Sequence, residues 1–345
     1  MKKLSALLLV LCMLLCFAGC KGSSGGSSSG IAGNESGQIG EFNPLSGLND
    51  LSKSAVGKRP IAIMVNNIKI SLPQRGISNA DLCYEVLAEG GITRIMAVFA
   101  DINKIPDTGS VRSARDYYID LAVSHNSVFV HFGGSPTALK TIKEKNIDSL
   151  NGLYLYPTGF YRDQNRVGKI PIEHTVFTDG QMLLKAAEKR KINLSGKTQN
   201  AFNFGDVDVV LSQGSAATNI TVPFSSSTKA TFTYDSESGM YLKGQFGAAQ
   251  IDESTGKQLS VKNVFVLQTS IKVLTNSDNG ARLDVNLKEG FGYYACNGKI
   301  VPIKWKKGAM KDMLKYYTLD GKELTVSAGK SWVNIISSNN TVSYN

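Results

Sequence analysis

The feature that most constrains the fold is a change of hydrophobic periodicity near residue 200. Between residues 58 and 195, short apolar runs typical of strands alternate with segments whose apolar side chains have helical spacing. Over 200–343 the helical spacing stops, and strand-like segments follow one another through closely spaced turn signals. We therefore predict an α+β protein, with an N-terminal α/β domain (58–195) around a central mixed sheet and a C-terminal all-β sandwich or small barrel (200–343). A single mixed domain is the alternative.

The N-terminal half contains one predicted hairpin that matters for function. A strand over 81–89 returns over 92–101 through a two-residue turn at Gly90-Gly91. That turn pairs residue 87 with 94 and residue 85 with 96, which places Arg94 diagonally between Glu85 and Glu89 on one face. The other predicted elements are strands over 60–65 and 127–132 and helices over 112–123, 136–145 and 179–191.

The C-terminal half contains a strong local signal at Asn297-Gly298, between strand-like segments 292–296 and 299–305. Both central positions of a type I′ turn need a positive φ, and Asn-Gly is favoured there for that reason. We therefore predict a hairpin at this point.

The first 20 residues have the features of a bacterial export signal. Lys2 and Lys3 precede a short apolar run, and Ala18-Gly19 precedes Cys20. This segment resembles the lipobox of bacterial lipoproteins, in which the cysteine is diacylated and becomes the first residue of the mature chain. We predict a signal peptide over 1–19, lipidation of Cys20, and stable attachment through two acyl chains to the extracytoplasmic face of the cell membrane. An ordinary cleaved signal is the alternative.

A segment rich in Gly and Ser follows Cys20. Residues 22–30 are all Gly or Ser, and large apolar residues are few as far as residue 57. Such a composition is typical of a flexible linker, so we predict a tether over 20–57. Processing would leave Cys83 and Cys296 as the remaining thiols, and their pairing stays open at this point.

Conventional catalytic and metal-binding motifs are missing from the sequence. It contains no GxSxG, Walker loop, GxGxxG, HExxH or CxxC, and its three histidines have no metal-ligand spacing. A zinc finger, a thioredoxin motif and a disulfide scaffold are therefore excluded. We expect no metal, no cofactor and no nucleic-acid partner.

Several ordered motifs resemble the YerB-like bacterial lipoproteins. In the N-terminal half they are Asn43-Pro-Leu-Ser-Gly47, Arg59-Pro-Ile-Ala-Ile-Met-Val-Asn66, Leu72-Pro-Gln-Arg-Gly76, Ala80-Asp-Leu-Cys-Tyr-Glu85, Glu89-Gly-Gly-Ile-Thr-Arg94, Val111-Arg-Ser-Ala-Arg115 and His131-Phe-Gly-Gly-Ser-Pro136. Asn297-Gly-Lys299, Trp305 and Gly329-Lys-Ser-Trp332 follow in the second half. The resemblance covers residues 43–340 and implies a cell-envelope address and a two-domain layout. It implies no reaction, so whether the chain is an enzyme stays open.

Arginine is concentrated in the N-terminal half. Eight of the nine arginines precede residue 200, and Arg282 alone lies beyond it. The planar guanidinium group suits carboxylates and phosphates better than the ammonium group of lysine does. We therefore predict that the N-terminal domain recognises an anionic wall component or a protein partner, and three groups of residues are candidates.

The first group is Arg112 and Arg115, at the start of a predicted helix. They are three residues apart and so share a helical face, where positive charge opposes the helix dipole and calls for a nearby anion. That anion is either internal, in a structural ion network of Arg94 with Glu85 and Glu89, or a bound ligand.

The second group follows the predicted strand over 127–132. His131, Gly133 and Gly134 lead into a helix whose first backbone N–H groups could hold an anion. A plain strand-to-helix turn explains the same residues.

The third group is a loop that carries Arg162, Arg166 and His174. These side chains could line a cleft over the same sheet edge, or they could simply be solvated.

The sequence thus favours a lipid-anchored envelope protein that binds an anionic ligand through an arginine-lined cleft of its N-terminal domain. A hydrolase or transferase acting on wall glycan or peptide is an alternative, since a carboxylate pair could be drawn from Asp81, Glu85, Glu89 or Asp101. A protein-interaction module without a small ligand is the other alternative.

Overall fold

The structure is a computed structural model that describes residues 40–274 and 282–345. The predicted signal peptide, Cys20 and the first part of the predicted tether lie outside the described residues. None of the helices in the described part of the chain has the length and apolar character needed to cross a membrane.

The helices and strands of the N-terminal half follow local sequence signals. The strands are β1 (Ile61–Asn67), β2 (Leu82–Leu87), β3 (Thr93–Phe99), β4 (Thr108–Gly109), β5 (Val128–His131), β6 (Ser149–Asn151), β7 (Tyr161–Arg162) and β8 (Val176–Thr178). The helices are α1 (Asp116–Ser124), α2 (Pro136–Glu144), α3 (Gly152–Leu155) and α4 (Gly180–Lys189). Ser135 caps α2 with Pro136 at its first position, and the Asp179 side chain caps α4, which confirms both predicted helices.

The C-terminal half consists of strands and turns. The strands are β9 (Asn203–Phe204), β10 (Ser215–Ala216), β11 (Asn219–Pro223), β12 (Lys229–Asp235), β13 (Met240–Gln245), β14 (Ala248–Ala249), β15 (Ile251–Asp252), β16 (Lys257–Gln258), β17 (Ser260–Val261), β18 (Asn263–Thr269), β19 (Ile271–Leu274), β20 (Arg282–Val285), β21 (Glu289–Cys296), β22 (Lys299–Lys306), β23 (Lys315–Tyr317), β24 (Thr325–Val326), β25 (Ser331–Ser337) and β26 (Ser343–Tyr344). Strands β21 and β22 form the predicted hairpin, and Asn297 and Gly298 both have positive φ, 51° and 70°.

Strands from both halves form one large mixed sheet. Its order is β10-β22-β21-β18-β25-β2-β3-β1-β5-β6, with β23 added on β22. The pairs β1–β5, β5–β6, β2–β25 and β18–β25 are parallel, and the other pairs of this sheet are antiparallel. The α+β class and the mixed N-terminal sheet are therefore confirmed. Because β25 hydrogen-bonds to β2 of the other half, the two predicted domains share this sheet.

Both faces of the large sheet are covered. On one face, Trp332 of β25 shares a core with Phe232 of β12 and Leu183 of α4. The strand β12 belongs to a second sheet of order β14-β13-β12-β11-β26, with β17 added on β13. On the opposite face, Met96 of β3 packs in a core with Leu121 of α1. The two cores follow from the alternation of side chains along each strand.

The segment 41–57 docks on the fold through a few buried side chains, although about half of its residues are exposed, and this corrects the C-terminal part of the tether predicted over 20–57. Glu41 and Leu51 exchange both backbone hydrogen bonds, at 2.8 and 3.0 Å. Leu45 and Leu51 are buried in the core on the α1 face of the sheet. A few apolar side chains are enough to dock this short segment, so its overall composition gives little sign of the packing.

The connection between β2 and β3 differs from the predicted two-residue turn. Its hydrogen bond joins the Ala88 N–H to the Ile92 carbonyl at 2.7 Å, and Val86 rather than Leu87 pairs with Arg94. A shift of one residue moves a side chain to the other face of a sheet. Glu85 and Arg94 therefore lie on opposite faces, and the predicted ion network that joins them is wrong.

The two cysteines of the described chain do not pair. Cys83 of β2 and Cys296 of β21 are both buried free thiols. Burial raises the pKa of each thiol, so both stay protonated at neutral pH.

Candidate functional site

The candidate site lies where β1 and β5 separate at their carboxyl ends. These strands pair in parallel over residues 61–63 and 128–130, and residues 110–115 then enter between them. The Arg112 N–H donates to the Met64 carbonyl at 2.9 Å, and the Phe132 N–H donates to the Arg112 carbonyl at 3.0 Å. Ligands often bind outside the carboxyl ends of neighbouring parallel strands. The sheet thus holds the backbone of Arg112 at such an edge.

The segment before α1 is extended, which corrects one prediction. Arg115 is the N-cap residue of α1, so Arg112 and Arg115 both precede the helix and do not share a helical face. The reason is that residues 111–114 hydrogen-bond to β1 and to the chain after β5 instead of forming a helical turn. Sheet pairing has overridden local helix propensity here.

Arg94 is a charged side chain that is almost fully enclosed at this edge. It is 5% exposed and lies on β3 opposite Asn66 of β1. Its Nη1 donates to the Ser113 carbonyl at 2.9 Å, and its Nε is buried without a hydrogen-bond partner. Burial, and then the positive charge of Arg115, lower the pKa of Arg94 to about 10, so it remains charged at neutral pH.

Arg112 lies beside Arg94 and is half-buried. Its Nη1 donates to the Glu173 carbonyl at 3.1 Å, and its Nε is also buried without a partner. Burial lowers the pKa of Arg112. Among the described residues, no carboxylate oxygen lies within 4.0 Å of a nitrogen of Arg94 or Arg112. We call Arg94 and Arg112 the open cluster.

His174 adds a neutral donor to the open cluster. Its Nδ1 lies 2.8 Å from the amide nitrogen of Asn66. Burial, and then the charge of Arg112, lower the pKa of His174, so the imidazole is neutral at neutral pH. Because an amide nitrogen can only donate, Nδ1 accepts and Nε2 carries the proton. The ring is therefore held as an N–H donor, with its Nε2 4.0 Å from the carboxylate of Glu173.

Arg115 and Glu89 form a closed pair next to the open cluster. The Arg115 Nε and Nη2 donate to the two carboxylate oxygens of Glu89 at 2.6 and 2.7 Å, a bidentate arrangement. Burial alone would raise the pKa of Glu89, but the hydrogen bond and charge of Arg115 outweigh it and lower the pKa. Arg115 is thus neutralised within the chain.

Arg162 lies over the ring of Phe132, beside the loop that holds Arg112. The Arg162 Nη1 donates to the Ile172 carbonyl at 2.5 Å and to the Thr175 Oγ1 at 3.1 Å. Its guanidinium carbon lies 5.6 Å from the centroid of the Phe132 ring. The residue after Ile172 is the one whose carbonyl holds Arg112, so both arginines bind the same short loop.

The strand-to-helix turn after β5 satisfies most of its polar groups internally, although the Nε2 of His131 is buried without a hydrogen-bond partner. The Nδ1 of His131 lies 2.7 Å from the Gly133 carbonyl, and burial lowers the pKa of His131 to about 4. The Gly133 N–H donates to the Asn151 Oδ1 at 3.0 Å, and Ser135 caps α2. Gly134 is bridged to the backbone of residue 114. The chain itself therefore satisfies the Gly133 N–H and caps the start of α2.

Arg75 and Arg166 are both paired with carboxylates, and we call them the paired cluster. Arg75 contacts Asp107, Asp163 and Glu253 at 3.0, 2.5 and 2.6 Å. Arg166 contacts Glu253 at 2.7 Å and Asp163 at 3.4 Å. Arg166 therefore does not line a cleft with the other predicted loop residues, and that part of the prediction is wrong.

Glu85 lies on the opposite face of the sheet in a closed polar network. Its carboxylate is 3.2 Å from the Lys243 Nζ and accepts from Trp332 Nε1 at 3.0 Å. Asn67 and Thr93 each donate to its other oxygen at 2.8 Å. Burial lowers the pKa of Lys243, and the charge of Glu85 opposes that shift. This network ties the two halves of the chain together inside the core.

The structure brings most of the predicted candidates to one edge. They are Arg94, Arg112, Arg115, Glu89, Arg162 and His174. Three further residues of the site were not predicted from the sequence, namely Asn66, Ser113 and Phe132. Asn66 could have been predicted as a site residue, because it is a polar residue at the end of an otherwise apolar strand. Within 40–274 and 282–345, no group of three or more His, Cys, Asp or Glu side chains could hold a metal ion.

The chain matches two consecutive domain models of one protein family. The N-terminal domain of a protein of unknown function (DUF3048) matches residues 45–193, and the C-terminal domain of the same family matches residues 220–333. The "Putative lipoprotein YerB" of Bacillus subtilis (strain 168) is 32% identical over 300 residues, which cover 85% of each chain. A crystal structure of YerB from Bacillus subtilis matches with a TM-score of 0.75 and 29% identity, over 87% of this chain and 99% of that one. The chain therefore belongs to the DUF3048 family.

Proposed function

We propose that this protein is a lipid-anchored binding protein of the cell envelope and that its open cluster binds an anionic ligand. The export signal that ends at Cys20 supports cleavage after residue 19 and diacylation of Cys20 on the extracytoplasmic side. The similar protein from Bacillus subtilis carries the name lipoprotein, which supports the same address. Loss of labelled palmitate from a Cys20→Ser variant expressed in a bacterium tests the anchor.

The observation that carries the binding function is the burial of Arg94 without a carboxylate partner. A buried charge is costly unless an opposite charge or several hydrogen bonds offset it. The Ser113 carbonyl offsets a part of that cost, and the Nε of Arg94 is left without a partner. Arg112 and the N–H of His174 lie beside Arg94. Together these groups are hydrogen-bond donors of the kind that bind phosphate and carboxylate groups.

A hydrolase or transferase is supported less well. Glu89 is held in the bidentate pair with Arg115, and Glu85 is enclosed on the other face of the sheet. Asp81 precedes β2 and Asp101 follows β3, so both lie at the end of these strands opposite to the cleft. None of the four carboxylates is thus a free general acid or base beside the open cluster.

The test is isothermal titration calorimetry on the mature chain with Cys20→Ser, using inorganic phosphate and sulfate as probes. We expect Arg112→Gln to weaken binding at least about tenfold, because a hydrogen bond from a charged group contributes about 1.5–3 kcal/mol. Arg190→Gln is the matched control, since Arg190 is exposed at the end of α4. Equal affinities in the two variants, or no binding by the parent protein, would exclude the proposal. Binding of a protein partner alone would favour an interaction module.

A further inference from the structure

We infer that the ligand of the open cluster is a phosphate monoester that carries an apolar chain. Its phosphate would contact Arg94 and Arg112, and its chain would lie against Leu153, Phe132 and Ile172. The inference rests on the proposed function and goes beyond it in naming the class of ligand. It is carried by one juxtaposition: a buried and a half-buried arginine, neither paired with a carboxylate, lie next to exposed apolar side chains.

The charge of the open cluster matches a dianion. Glu89 neutralises Arg115, and His174 is held as a neutral donor by Asn66. Arg94, Arg112 and Arg162 have no carboxylate within 4.0 Å in the described part of the chain, while the charge of Glu173 acts on Arg112, so an excess of two positive charges remains. A phosphate monoester carries close to two negative charges at neutral pH and three acceptor oxygens. One such group balances both excess positive charges, whereas a single carboxylate balances one of them.

An exposed apolar side chain lies near these arginines. Leu153 is 55% exposed, although it is a large apolar residue. The Asn151 Oδ1 accepts both the Gly133 N–H and the Leu153 N–H, at 3.0 and 3.1 Å, which ties α3 to the end of β5. A Cβ added to Gly133 would lie 3.4 Å from the Leu153 Cδ1 and 3.8 Å from the Ser113 Oγ. The exposed leucine therefore lies close to the residue whose carbonyl holds Arg94.

A second exposed apolar side chain belongs to the loop that binds Arg112 and Arg162. Ile172 is 50% exposed, and its carbonyl accepts from Arg162, whose guanidinium covers the Phe132 ring. The carbonyl of the next residue accepts from Arg112. Exposed apolar side chains that border a polar opening are typical of ligand-binding surfaces. An inorganic anion would leave Leu153 and Ile172 in water, whereas an alkyl chain would cover them.

The experiment compares phosphates of increasing chain length on the mature chain with Cys20→Ser. Calorimetry is run with inorganic phosphate, butyl phosphate and monomeric octyl phosphate. We expect octyl phosphate to bind at least about tenfold more tightly than inorganic phosphate, since each buried methylene contributes about 0.8 kcal/mol. Leu153→Ser should remove at least about fivefold of that gain and leave inorganic phosphate unaffected. Leu319→Ser is the control, because Leu319 is 48% exposed in the C-terminal half.

A second experiment distinguishes the two sources of an alkyl phosphate, a lipid within a bilayer and a free amphiphile. Flotation with phosphatidylcholine vesicles that contain phosphatidic acid reports a lipid within a bilayer, whereas binding of octyl phosphate without flotation reports a free amphiphile. Either result supports the inference when Leu153→Ser lowers the affinity.

The inference and the proposed function fail in different ways. If octyl phosphate binds no better than inorganic phosphate while Arg112→Gln still weakens both, the inference is overturned and anion binding stands. If Arg112→Gln changes neither affinity, both are overturned. Should Leu153→Ser fail to fold by circular dichroism, the chain-length series on the parent protein decides the matter alone.

Discussion

The paired cluster and the open cluster hold the same residue type in opposite ways. Arg75 and Arg166 share three carboxylates at 2.5 to 3.4 Å. Arg94 and Arg112 donate to backbone carbonyls, and each has a buried Nε without a partner. Both clusters belong to the arginine-rich half of the chain. Arginine content therefore distinguishes the two halves of the molecule. Within the arginine-rich half, pairing with carboxylates distinguishes arginines with a structural role from arginines of a candidate binding site.

The partners of the paired cluster explain its role. Glu253 belongs to the C-terminal half and lies 178 residues from Arg75 in the sequence. Next to it, the Asp252 carboxylate accepts the backbone N–H groups of Gly76 and Ser78 at 3.1 and 2.8 Å. The paired cluster therefore holds the two halves of the chain against each other.

The largest expected effect comes from breaking the paired cluster. Arg75→Met should lower the free energy of unfolding by about 2–3 kcal/mol, because it leaves Asp163 buried with one partner fewer and exposes Asp107 and Glu253 to mutual repulsion. The partly exposed carboxylates keep the loss below that of a fully buried pair. Urea unfolding followed by circular dichroism measures it. A loss under about 0.5 kcal/mol would show that this cluster does not hold the halves together.

A smaller effect is expected when the closed pair is opened. Glu89→Gln leaves Arg115 without its counter-charge next to Arg94, so the free energy of unfolding should fall by about 1–2 kcal/mol. The same change adds a further uncompensated cation beside Arg94, Arg112 and Arg162, and inorganic phosphate should bind severalfold more tightly. Urea unfolding and calorimetry on one preparation report both quantities. Unchanged or weaker phosphate binding would contradict the view that Glu89 limits the positive charge of the cleft.

The smallest effect on stability is expected in the open cluster. Arg94→Met removes a buried charge that lacks a carboxylate, so the free energy of unfolding should change by less than about 1 kcal/mol while phosphate binding is lost. The substitution is the same as the one made at Arg75, which makes the two measurements directly comparable. Destabilisation equal to that of Arg75→Met would remove the distinction between the clusters.

The sequence allowed a good part of the fold to be predicted. The caps at Ser135 and Asp179 and the hairpin at Asn297-Gly298 depend on residues within a few positions of one another. Such local signals gave α2, α4 and the β21–β22 hairpin, close to their observed bounds. The joining of β25 to β2 was out of reach, because hydrogen bonding between strands about 250 residues apart leaves no local trace.

The candidate site was predictable only in part, and one error of register shows why. The turn at Gly90-Gly91 was expected to have two residues, and the observed loop is longer. That difference moved Arg94 to the face opposite Glu85 and so removed its predicted carboxylate. A turn of one more residue in the hairpin changes which groups meet, although every residue type stays the same.

The export signal and the lipidation of Cys20 are predictions from the sequence, and the sequence was also enough to identify the α+β class and the concentration of arginine in one half. These properties depend on composition and on neighbouring residues. The tertiary structure alone decided which arginines meet carboxylates, because Glu253 reaches Arg75 only after the two halves have packed and Arg94 takes its face only from the strand register. Buried charges pair only when folding brings distant groups together. A buried arginine without a carboxylate is costly in free energy, and this cost distinguishes the open cluster from the paired cluster.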